Sequence, residues 1–342
     1  MLVKNPAKRR PWIDFGRGIL MFLVFLYHSE VYYSDHHSWS WLFEPVFLTG
    51  FFFLSGYLFT SDIRKVDFSR KFKQVLRAIL IPYFIFMFLF FLPKLIFLKQ
   101  EALQNLYDIF TLRASWFVVT IAGLQLIYAL LLDIRPTVKM LIIATVIMAF
   151  AGYGVLQITR ERLPFCLSNI LNAVPYFCLG ILYRRYETSF AKWASVKYLV
   201  FFALIFFGAV IIDHIYLQSE MCMAVNIYRN QLLEFCYAVL GITTLVLFCK
   251  IVPAWRLVNY IGANSLTFYF LNGLSLRTVI LFAHKLTLLE GGGYAGVFIV
   301  AVCACLITFP MVWGINKYLP FVTGKKESFN TLSRKLHWDI NW

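Results

Sequence analysis

DFGRGILMFLVFLYHSE, residues 14–30, is an apolar stretch that carries an arginine near one end and a histidine near the other. An α-helix turns about 100° per residue, so the step from Arg17 to His28 completes about three turns and places both side chains on one face. They lie roughly 16 Å apart along the helix axis, which is about half the thickness of a bilayer's hydrocarbon core. Asp14 lies one turn before Arg17 and can pair with its guanidinium. The stretch therefore predicts a membrane helix with a polar face made of Asp14, Arg17 and His28.

The composition indicates a membrane protein. Hydrophobic residues make up 61% of the 342 residues and charged residues only 14%, whereas a soluble domain has about 25% charged residues. Apolar runs of about 20 residues, long enough to span a bilayer, recur from end to end. We predict an all-α polytopic membrane protein with about ten transmembrane helices. The predicted spans lie near residues 16–33, 44–60, 76–98, 115–132, 138–156, 167–183, 196–217, 232–249, 258–282 and 294–316.

The charge of the chain is strongly positive, with 32 Lys and Arg residues and a net charge of +15. A nucleic-acid-binding protein can have the same balance, but here most basic residues fall in every second connection between the predicted spans, and therefore on one side of the membrane. This is the distribution that the positive-inside rule describes. It predicts that both termini are cytoplasmic and that nucleic acid is not a partner. The densest basic run precedes the third span and contains Arg64, Lys65, Arg70, Lys71, Lys73 and Arg77.

No linker or internal repeat divides the chain, so we predict a single transmembrane domain over residues 1–323. Residues 324–342 are predicted to form a short basic cytoplasmic tail that lies against membrane lipid. The loop at residues 99–113 has room for a short interfacial helix. Cys303 and Cys305 are two residues apart on a predicted helix and face different directions, so no metal site is predicted.

Ionisable side chains inside a span are costly and are the first candidates for function. An imidazole has an unperturbed pKa of about 6.5, which makes His28 an available base at neutral pH. The alternative is a core histidine that is hydrogen-bonded to a neighbouring helix. Ser55 and Gly56 interrupt the aromatic run FFFLSGYLF, either to contact a substrate or to allow close helix packing. The basic run before the third span provides either topogenic charge or an anion site at a helix start.

A second polar stripe is predicted late in the chain. Ser265, Tyr269 and Asn272 are spaced by four and three residues, so they share one helix face. Asn272 lies in mid-span and requires a partner. Trp116 begins the fourth span, where an interfacial tryptophan is common.

Five segments together resemble the membrane acyltransferase-3 family. IDFGRG followed by YH gives the spacing R-x10-H on the first span and looks like the signature of that family. FFFLSGYLF, the basic run that ends in LIPYF, SWFVVTI and GANSLTFYF resemble its later segments, and they occur here in the same order. The resemblance covers most of the chain.

The resemblance implies an integral membrane O-acyltransferase of the bacterial cytoplasmic (inner) membrane. It would move an acetyl or other short acyl group from cytoplasmic acyl-CoA, with acetyl-CoA as donor, to a hydroxyl of a cell-surface polysaccharide, glycolipid or lipid-linked sugar. His28 and Arg17, with Asp14, become the catalytic candidates. The acyl-CoA-binding candidates are Arg17, Arg70, Lys73 and Arg77. The candidates for acceptor or oxyanion contacts are Ser55, Tyr57, Trp116, Ser265, Tyr269 and Asn272.

This chain departs from the family pattern in two places. The spacing of the cytoplasmic basic motif around Lys73 and Arg77 is not reproduced, and Asn272 stands where many relatives have a histidine, so a relay through that histidine is absent. His28 can act as a base or become acylated itself, and the sequence does not separate these routes. A homo-oligomer is also left open.

The main alternative function is a polytopic transporter or flippase of a lipid-linked or sugar substrate, which would use the same intramembrane residues. Transporters often consist of two matching halves, and no such halves occur here. A scaffold without chemistry leaves the polar face of the first span unexplained.

Overall fold

The computed structural model describes residues 10–33, 39–97, 102–159, 163–218, 221–285 and 293–325. Helices account for most of these residues, and the one strand pair described is a short antiparallel one, β1 (Met221–Cys222) with β2 (Ile227–Tyr228). The helices are α1 (Pro11–Tyr33), α2 (Glu44–Phe59), α3 (Phe68–Val75), α4 (Ile81–Phe97), α5 (Ala102–Phe110), α6 (Trp116–Asp133), α7 (Val138–Ile158), α8 (Leu167–Phe190), α9 (Val196–Ile212), α10 (Gln231–Ile251), α11 (Arg256–Ala263), α12 (Ser265–Lys285) and α13 (Gly293–Tyr318).

Long apolar helices dominate because a chain in lipid must satisfy its backbone hydrogen bonds internally. In the described part of the chain, eight helices are long and apolar enough to cross a membrane. α2 is apolar but has only 16 residues. α1 has 23 residues and is not among the eight, because Asp14, Arg17, His28 and Glu30 lower its hydropathy. The all-α polytopic class is confirmed, and the count of ten spans stays a prediction.

The predicted ninth span, residues 258–282, is divided into α11 and α12. Asn264 ends α11 with non-helical backbone angles (φ −119°, ψ 21°), and its side-chain amide donates to the carbonyl oxygen of Tyr260 (2.9 Å). Asparagine readily makes such local bonds, which compete with helix continuation. The predicted span at residues 258–282 therefore contains a break at Asn264, and its long apolar helix is α12.

The third span begins earlier than predicted. α3 starts after Asp67, whose carboxylate accepts a hydrogen bond from the backbone N–H of Arg70 (2.6 Å) and caps the helix. α3 continues into α4 through a π-helical turn, Leu76–Leu80. The basic run therefore lies on the same helical rod as the third span. A π turn inside a helix is rare and is frequent at functional sites.

The loop at residues 99–113 contains the predicted short helix, α5. The hydroxyl of Tyr83 on α4 donates to the carbonyl oxygen of Ile109 (3.0 Å) and holds α5 in place. Of the predicted tail at residues 324–342, only Gly324 and Lys325 belong to the described residues.

The described residues group into two compact units that each draw on several parts of the chain. The first unit falls within Met1–Phe51, Ser189–Tyr216 and Tyr237–Val312, and the second within Phe52–Thr188, Leu217–Cys236 and Trp313–Trp342. In the first unit, α1 packs against α11 and α12. In the second unit, Gly56 and Gly180 allow α2 and α8 to meet, because a Cβ on Gly56 would lie 2.0 Å from a backbone oxygen of α8. Close packing thus accounts for the glycine of the SGY segment.

Candidate functional site

α1 places the two residues of the R-x10-H pattern on one uninterrupted helix. Arg17 lies in its second turn and His28 near its last, and both side chains are half-buried. Ideal helix geometry therefore applies, and the two residues share a face at an axial separation of roughly 16 Å. The structure supports the geometry predicted from their spacing.

Arg17 is held beside a very close helix crossing. A Cβ on Gly18 would lie 2.1 Å from the carbonyl oxygen of Val258, and a Cβ on Gly262 would lie 1.7 Å from that of Asp14. The backbones of α1 and α11 therefore touch directly, which fixes the position of the neighbouring Arg17. Its guanidinium interacts electrostatically with Asp14. The buried Nε of Arg17 has no hydrogen-bond partner among the described residues.

His28 is flanked by aromatic rings. The ring of Tyr27 meets the imidazole edge-on at a centroid distance of 5.5 Å, and that of Tyr32 stacks on it at 5.9 Å with an interplanar angle of 15°. The guanidinium of Arg277 lies 5.7 Å from the centre of the Tyr32 ring. Within the described part of the chain, no group hydrogen-bonds the His28 imidazole. A core histidine bonded to a neighbouring helix would show such a bond.

Glu30 orders the segment that follows α1. Its carboxylate is buried, with 5% of the residue exposed. One oxygen accepts the backbone N–H of Trp39 (2.5 Å), and the other accepts that of Ser40 (3.3 Å). Sequence reasoning did not single out Glu30, although a carboxylate inside an apolar stretch was a usable signal.

Three further polar groups in the first unit are buried without a hydrogen-bond partner in the described structure. They are Nδ2 of Asn272, Oδ1 of Asn259 and the hydroxyl of Tyr260. Asn272 is only 7% exposed. Ser265 and Tyr269, predicted to share its helix face, are half-buried on α12. Asn259 and Tyr260 were not predicted as site residues, because nothing in their local sequence distinguishes them from ordinary helix-start residues.

In the second unit, the predicted phosphate ligands differ in burial. Arg70 and Lys73 are exposed on α3, whereas Arg77 is half-buried in the π-helical turn. The buried Nε of Arg77 has no partner within the described residues. Lys71 has a structural role, because its ammonium donates to the carbonyl oxygen of Phe59 and lies 4.2 Å from the centre of that ring. Of the basic residues in this segment, Arg77 is therefore the one with a buried donor that no described residue satisfies.

Tyr57 belongs to an ion-pair cluster in the second unit. Its hydroxyl donates to Oε2 of Glu187 (2.6 Å) and accepts from Nη1 of Arg184 (2.7 Å). The charged atoms of Arg184 and Glu187 are 3.6 Å apart. Ser55 is buried two residues before Tyr57 on α2, and Trp116 is half-buried at the start of α6. Tyr57 was predicted as an acceptor or oxyanion contact, but its two partners leave its hydroxyl less available than the sequence implied.

Comparison with protein families gives one decisive match. A family model described as an acyltransferase domain matches residues 10–317. The chain belongs to the acyltransferase-3 family. The match includes α1 with its R-x10-H pattern and extends to the last turn of α13. Comparison with curated proteins and with solved structures gave no match.

Membership of the acyltransferase-3 family makes this protein a membrane acyltransferase, with several apolar helices able to cross a bilayer. In the described part of the enzyme, no group of three or more His, Cys, Asp or Glu residues could hold a metal ion. The polar groups of its first unit are an imidazole, a guanidinium and two amides, with a phenol beside them. These groups can accept a proton, bind an anion and donate hydrogen bonds to a developing negative charge.

Proposed function

We propose that this acyltransferase moves an acetyl or other short acyl group from acyl-CoA to a hydroxyl of a cell-surface polysaccharide, glycolipid or lipid-linked sugar. His28 is the general base, and Arg17 binds the anionic part of the donor. The enzyme acts in a bacterial cytoplasmic membrane with both termini in the cytoplasm. Family membership supports the acyl transfer, and the donor, the acceptor and the residue roles are our inference.

One observation carries these roles. Within the described residues, the His28 imidazole has no hydrogen-bond partner, and on the same helix the buried Nε of Arg17 also lacks one. Buried polar groups in proteins are usually satisfied, so the Nε of Arg17 requires an explanation such as a ligand, and the half-buried imidazole is available to a substrate. A donor whose phosphates and thioester are separated by a long flexible arm can contact both residues.

In the reaction, the acceptor hydroxyl attacks the thioester carbonyl carbon while His28 takes its proton. The tetrahedral intermediate then breaks its C–S bond, and the leaving thiolate of CoA receives the proton from the imidazolium. The products are the O-acyl sugar and free CoA, and His28 is regenerated. General base catalysis of this kind contributes about 10²–10⁴-fold to the rate. The competing route acylates His28 first and transfers the group in a second step.

Asn272 is the best-supported candidate for stabilising the oxyanion. Its amide nitrogen is a buried donor without a partner among the described residues, and donors already in place are the groups that stabilise such intermediates. Ser265 and Tyr269 on the same helix are further candidates. Ser55, Tyr57 and Trp116 remain proposals for the acceptor side.

The phosphates of acyl-CoA require cations. Arg17 supplies one in the first unit, and Arg70, Lys73 and Arg77 are proposed as phosphate ligands in the second. Guanidinium groups match phosphate geometry through two parallel N–H donors.

The test uses the purified full-length protein in detergent, with acetyl-CoA binding followed by calorimetry and CoA release followed by thiol detection. We expect wild type to bind saturably and to release CoA. His28→Ala should bind acetyl-CoA normally but release CoA at least about 100-fold more slowly. Arg17→Ala should bind about tenfold or more weakly, because a charge-assisted bond is lost.

Matched controls exist in the same unit. His214→Ala removes an exposed histidine whose ring stacks on Trp41 at 4.2 Å, and Arg277→Ala removes an exposed arginine that contacts Tyr32. Both should leave acetyl-CoA binding and CoA release unchanged. If wild type neither binds acetyl-CoA nor releases CoA, with or without added glycans, the acyl-CoA mechanism is wrong and proton-coupled transport becomes the hypothesis to test.

A further inference from the structure

A second group of buried polar side chains lies in the second unit, where the start of α8 meets the hairpin and the start of α10. We call it the α8–α10 polar cluster. Five of its residues are almost fully buried, with exposures of 0% for Ser168 and Asn169, 3% for Asn172, and 2% for Asn226 and Glu234. The cluster comprises Ser168, Asn169, Asn172, Asn226, Tyr228, Gln231 and Glu234. None of the roles proposed above uses these residues.

The hydrogen bonds within the cluster fix which way the amides point. Asn169 donates from Nδ2 to the backbone oxygen of Met223 (2.5 Å), and Asn172 donates from Nδ2 to that of Ser168 (2.8 Å). A backbone oxygen can only accept, so these amides cannot be turned around. Gln231 then donates from Nε2 to Oδ1 of Asn172 (2.6 Å). The amide oxygens of Asn169 and Gln231 therefore remain available as hydrogen-bond acceptors.

Several buried atoms of this cluster lack a hydrogen-bond partner among the described residues, and three of them carry the argument. They are Oδ1 of Asn169, Oε1 of Gln231 and the hydroxyl of Tyr228. Leaving buried polar groups unsatisfied is costly, and proteins seldom do so without a ligand or ordered water. Hydrogen bonds join Gln231 to Asn172 and Asn172 to Ser168, whereas Tyr228 interacts electrostatically with Glu234 and Tyr176. Gln231 and Glu234 lie one turn apart at the start of α10, which brings the two sets side by side.

The chemistry of these atoms indicates the ligand class. Burial raises the pKa of Tyr228 well above its ordinary value, so its phenol stays protonated and can donate. The two amide oxygens only accept. A ligand with several hydroxyl groups fits these atoms. Its O–H groups can donate hydrogen bonds to the two amide oxygens, and one of its oxygens can accept a hydrogen bond from the Tyr228 hydroxyl. Next to them, the buried ring of Tyr176 packs against Phe235 at a centroid distance of 5.7 Å and adds apolar surface.

A divalent cation fits this cluster less well. Ca²⁺ takes six to eight oxygen ligands, several of them carboxylates, and Glu234 is the one carboxylate of the cluster. One of its oxygens already accepts the backbone N–H groups of Arg229 (3.2 Å) and Asn230 (3.4 Å). These bonds anchor the start of α10.

We propose that the α8–α10 polar cluster binds the hydroxyl groups of a sugar ring. If the proposed function is correct, this sugar belongs to the acceptor. The charge pattern predicts that the start of α8, the hairpin and the start of α10 all lie on the extracytoplasmic side, where cell-surface carbohydrate is found.

The decisive variant is Tyr228→Phe, because it removes a hydroxyl that bonds to no described residue. Its matched control is Tyr83→Phe in the same unit, where the hydroxyl donates to the carbonyl oxygen of Ile109 (3.0 Å). If both hydroxyls are merely structural, Tyr228→Phe leaves thermal stability unchanged or higher, and Tyr83→Phe lowers it. Only a ligand contact makes Tyr228→Phe the variant with the binding defect.

Binding is measured on the full-length protein in a detergent without a sugar head group, because such a head group would compete. The probes are the methyl glycosides of glucose, galactose, mannose, rhamnose and N-acetylglucosamine, and the readout is the ligand-induced rise in Tm. We expect at least one glycoside to stabilise wild type saturably. Its Kd should rise about three- to tenfold in Tyr228→Phe, which corresponds to one lost hydrogen bond, and should not change in Tyr83→Phe.

The proposal is overturned if none of the glycosides stabilises wild type, if Kd is the same in wild type and Tyr228→Phe, or if Ca²⁺ alone gives the stabilisation that Tyr228→Phe loses. Glycoside binding needs no acyl-CoA, so the two proposals fail separately. Normal CoA release with no glycoside binding removes the sugar site alone. Glycoside binding that depends on Tyr228, without any CoA release, supports the sugar site and overturns the acyl-CoA mechanism.

Discussion

No described residue hydrogen-bonds the imidazole of His28, which lies near the last turn of α1. If this imidazole is the base, the rate of acyl transfer depends on pH. Only the neutral imidazole can take a proton, so kcat for acyl transfer should rise with pH and level off once the ring is deprotonated. The measurement is kcat at saturating acetyl-CoA over as wide a pH range as the folded protein tolerates, extending well below about pH 6.5, where an unperturbed histidine titrates.

The same profile in His214→Ala serves as the control and should match wild type. In His28→Ala, the remaining slow rate should lose the rise with pH. A rise that persists unchanged in His28→Ala would assign the titrating group to another residue and remove His28 as the base.

The sequence predicts that Arg17 and His28 share a helix face, because both lie on one helix and their relation depends only on helical geometry. It does not predict the two hydrogen bonds of Glu30, because these depend on the path of the chain back to Trp39 and Ser40. The buried groups of Asn259 and Tyr260 are likewise set by packing between helices, which no spacing within one helix encodes.

Helix α1 depends on its crossing with α11, which leaves no room for a Cβ. Gly18→Ala would place its Cβ 2.1 Å from the carbonyl oxygen of Val258. A backbone atom cannot move aside as a side chain can, so the helices must separate. We expect a loss of about 3 kcal/mol or more in the free energy of unfolding, at the upper end of overpacking effects. Weaker acetyl-CoA binding should accompany it, because Arg17 is the adjacent residue.

The measurement is the denaturation midpoint in mixed micelles, and Gly273→Ala on α12 is its control. A Cβ there would meet nothing within 4 Å. That variant should be neutral or more stable by up to about 1 kcal/mol, because alanine favours helix. Equal stability of the two variants would contradict the close crossing.

α2 and α8 are joined by the hydroxyl of Tyr57, which bonds both Arg184 and Glu187. We expect Tyr57→Phe and Glu187→Gln each to destabilise the protein by about 1–3 kcal/mol, since each removes a hydrogen bond that involves a charged group. In a double-mutant cycle, the double variant should lose less unfolding free energy than the sum of the losses in the two single variants, by about 0.5 kcal/mol or more. Strict additivity would mean that the two side chains do not interact.

Hydropathy predicts the positions of the long helices but not the irregular turns between and within them. Hydropathy locates the long helices because lipid requires them. The break at Asn264 and the π turn around Arg77 leave the hydropathy pattern unchanged, so a hydropathy reading joins α11 to α12. The α8–α10 polar cluster is also invisible in sequence, because its residues come from three separate segments and each segment alone resembles a polar helix end.

The whole molecule is predicted to have both termini in the cytoplasm, and cysteine labelling can test this. The seven native cysteines form no disulfide, so a cysteine-free background can be built. In that background, Gln218→Cys should react with a membrane-impermeant maleimide in intact cells, whereas Ser61→Cys should react only after permeabilisation. Both positions are exposed. The reverse pattern would invert the predicted topology.

The order in which the chain is synthesised gives the crossing of α1 and α11 a consequence for biogenesis. Gly18 emerges from the ribosome long before Gly262, and at about 5–20 residues per second the interval is roughly 12–50 s. Throughout that time Asp14 and Arg17 lie on a helix whose packing partner does not yet exist. A nascent chain cannot release such a helix into lipid cheaply, so the insertion machinery must shelter α1 until α11 arrives. A chain that stops before Arg256 would leave α1 as a target for membrane quality-control proteases.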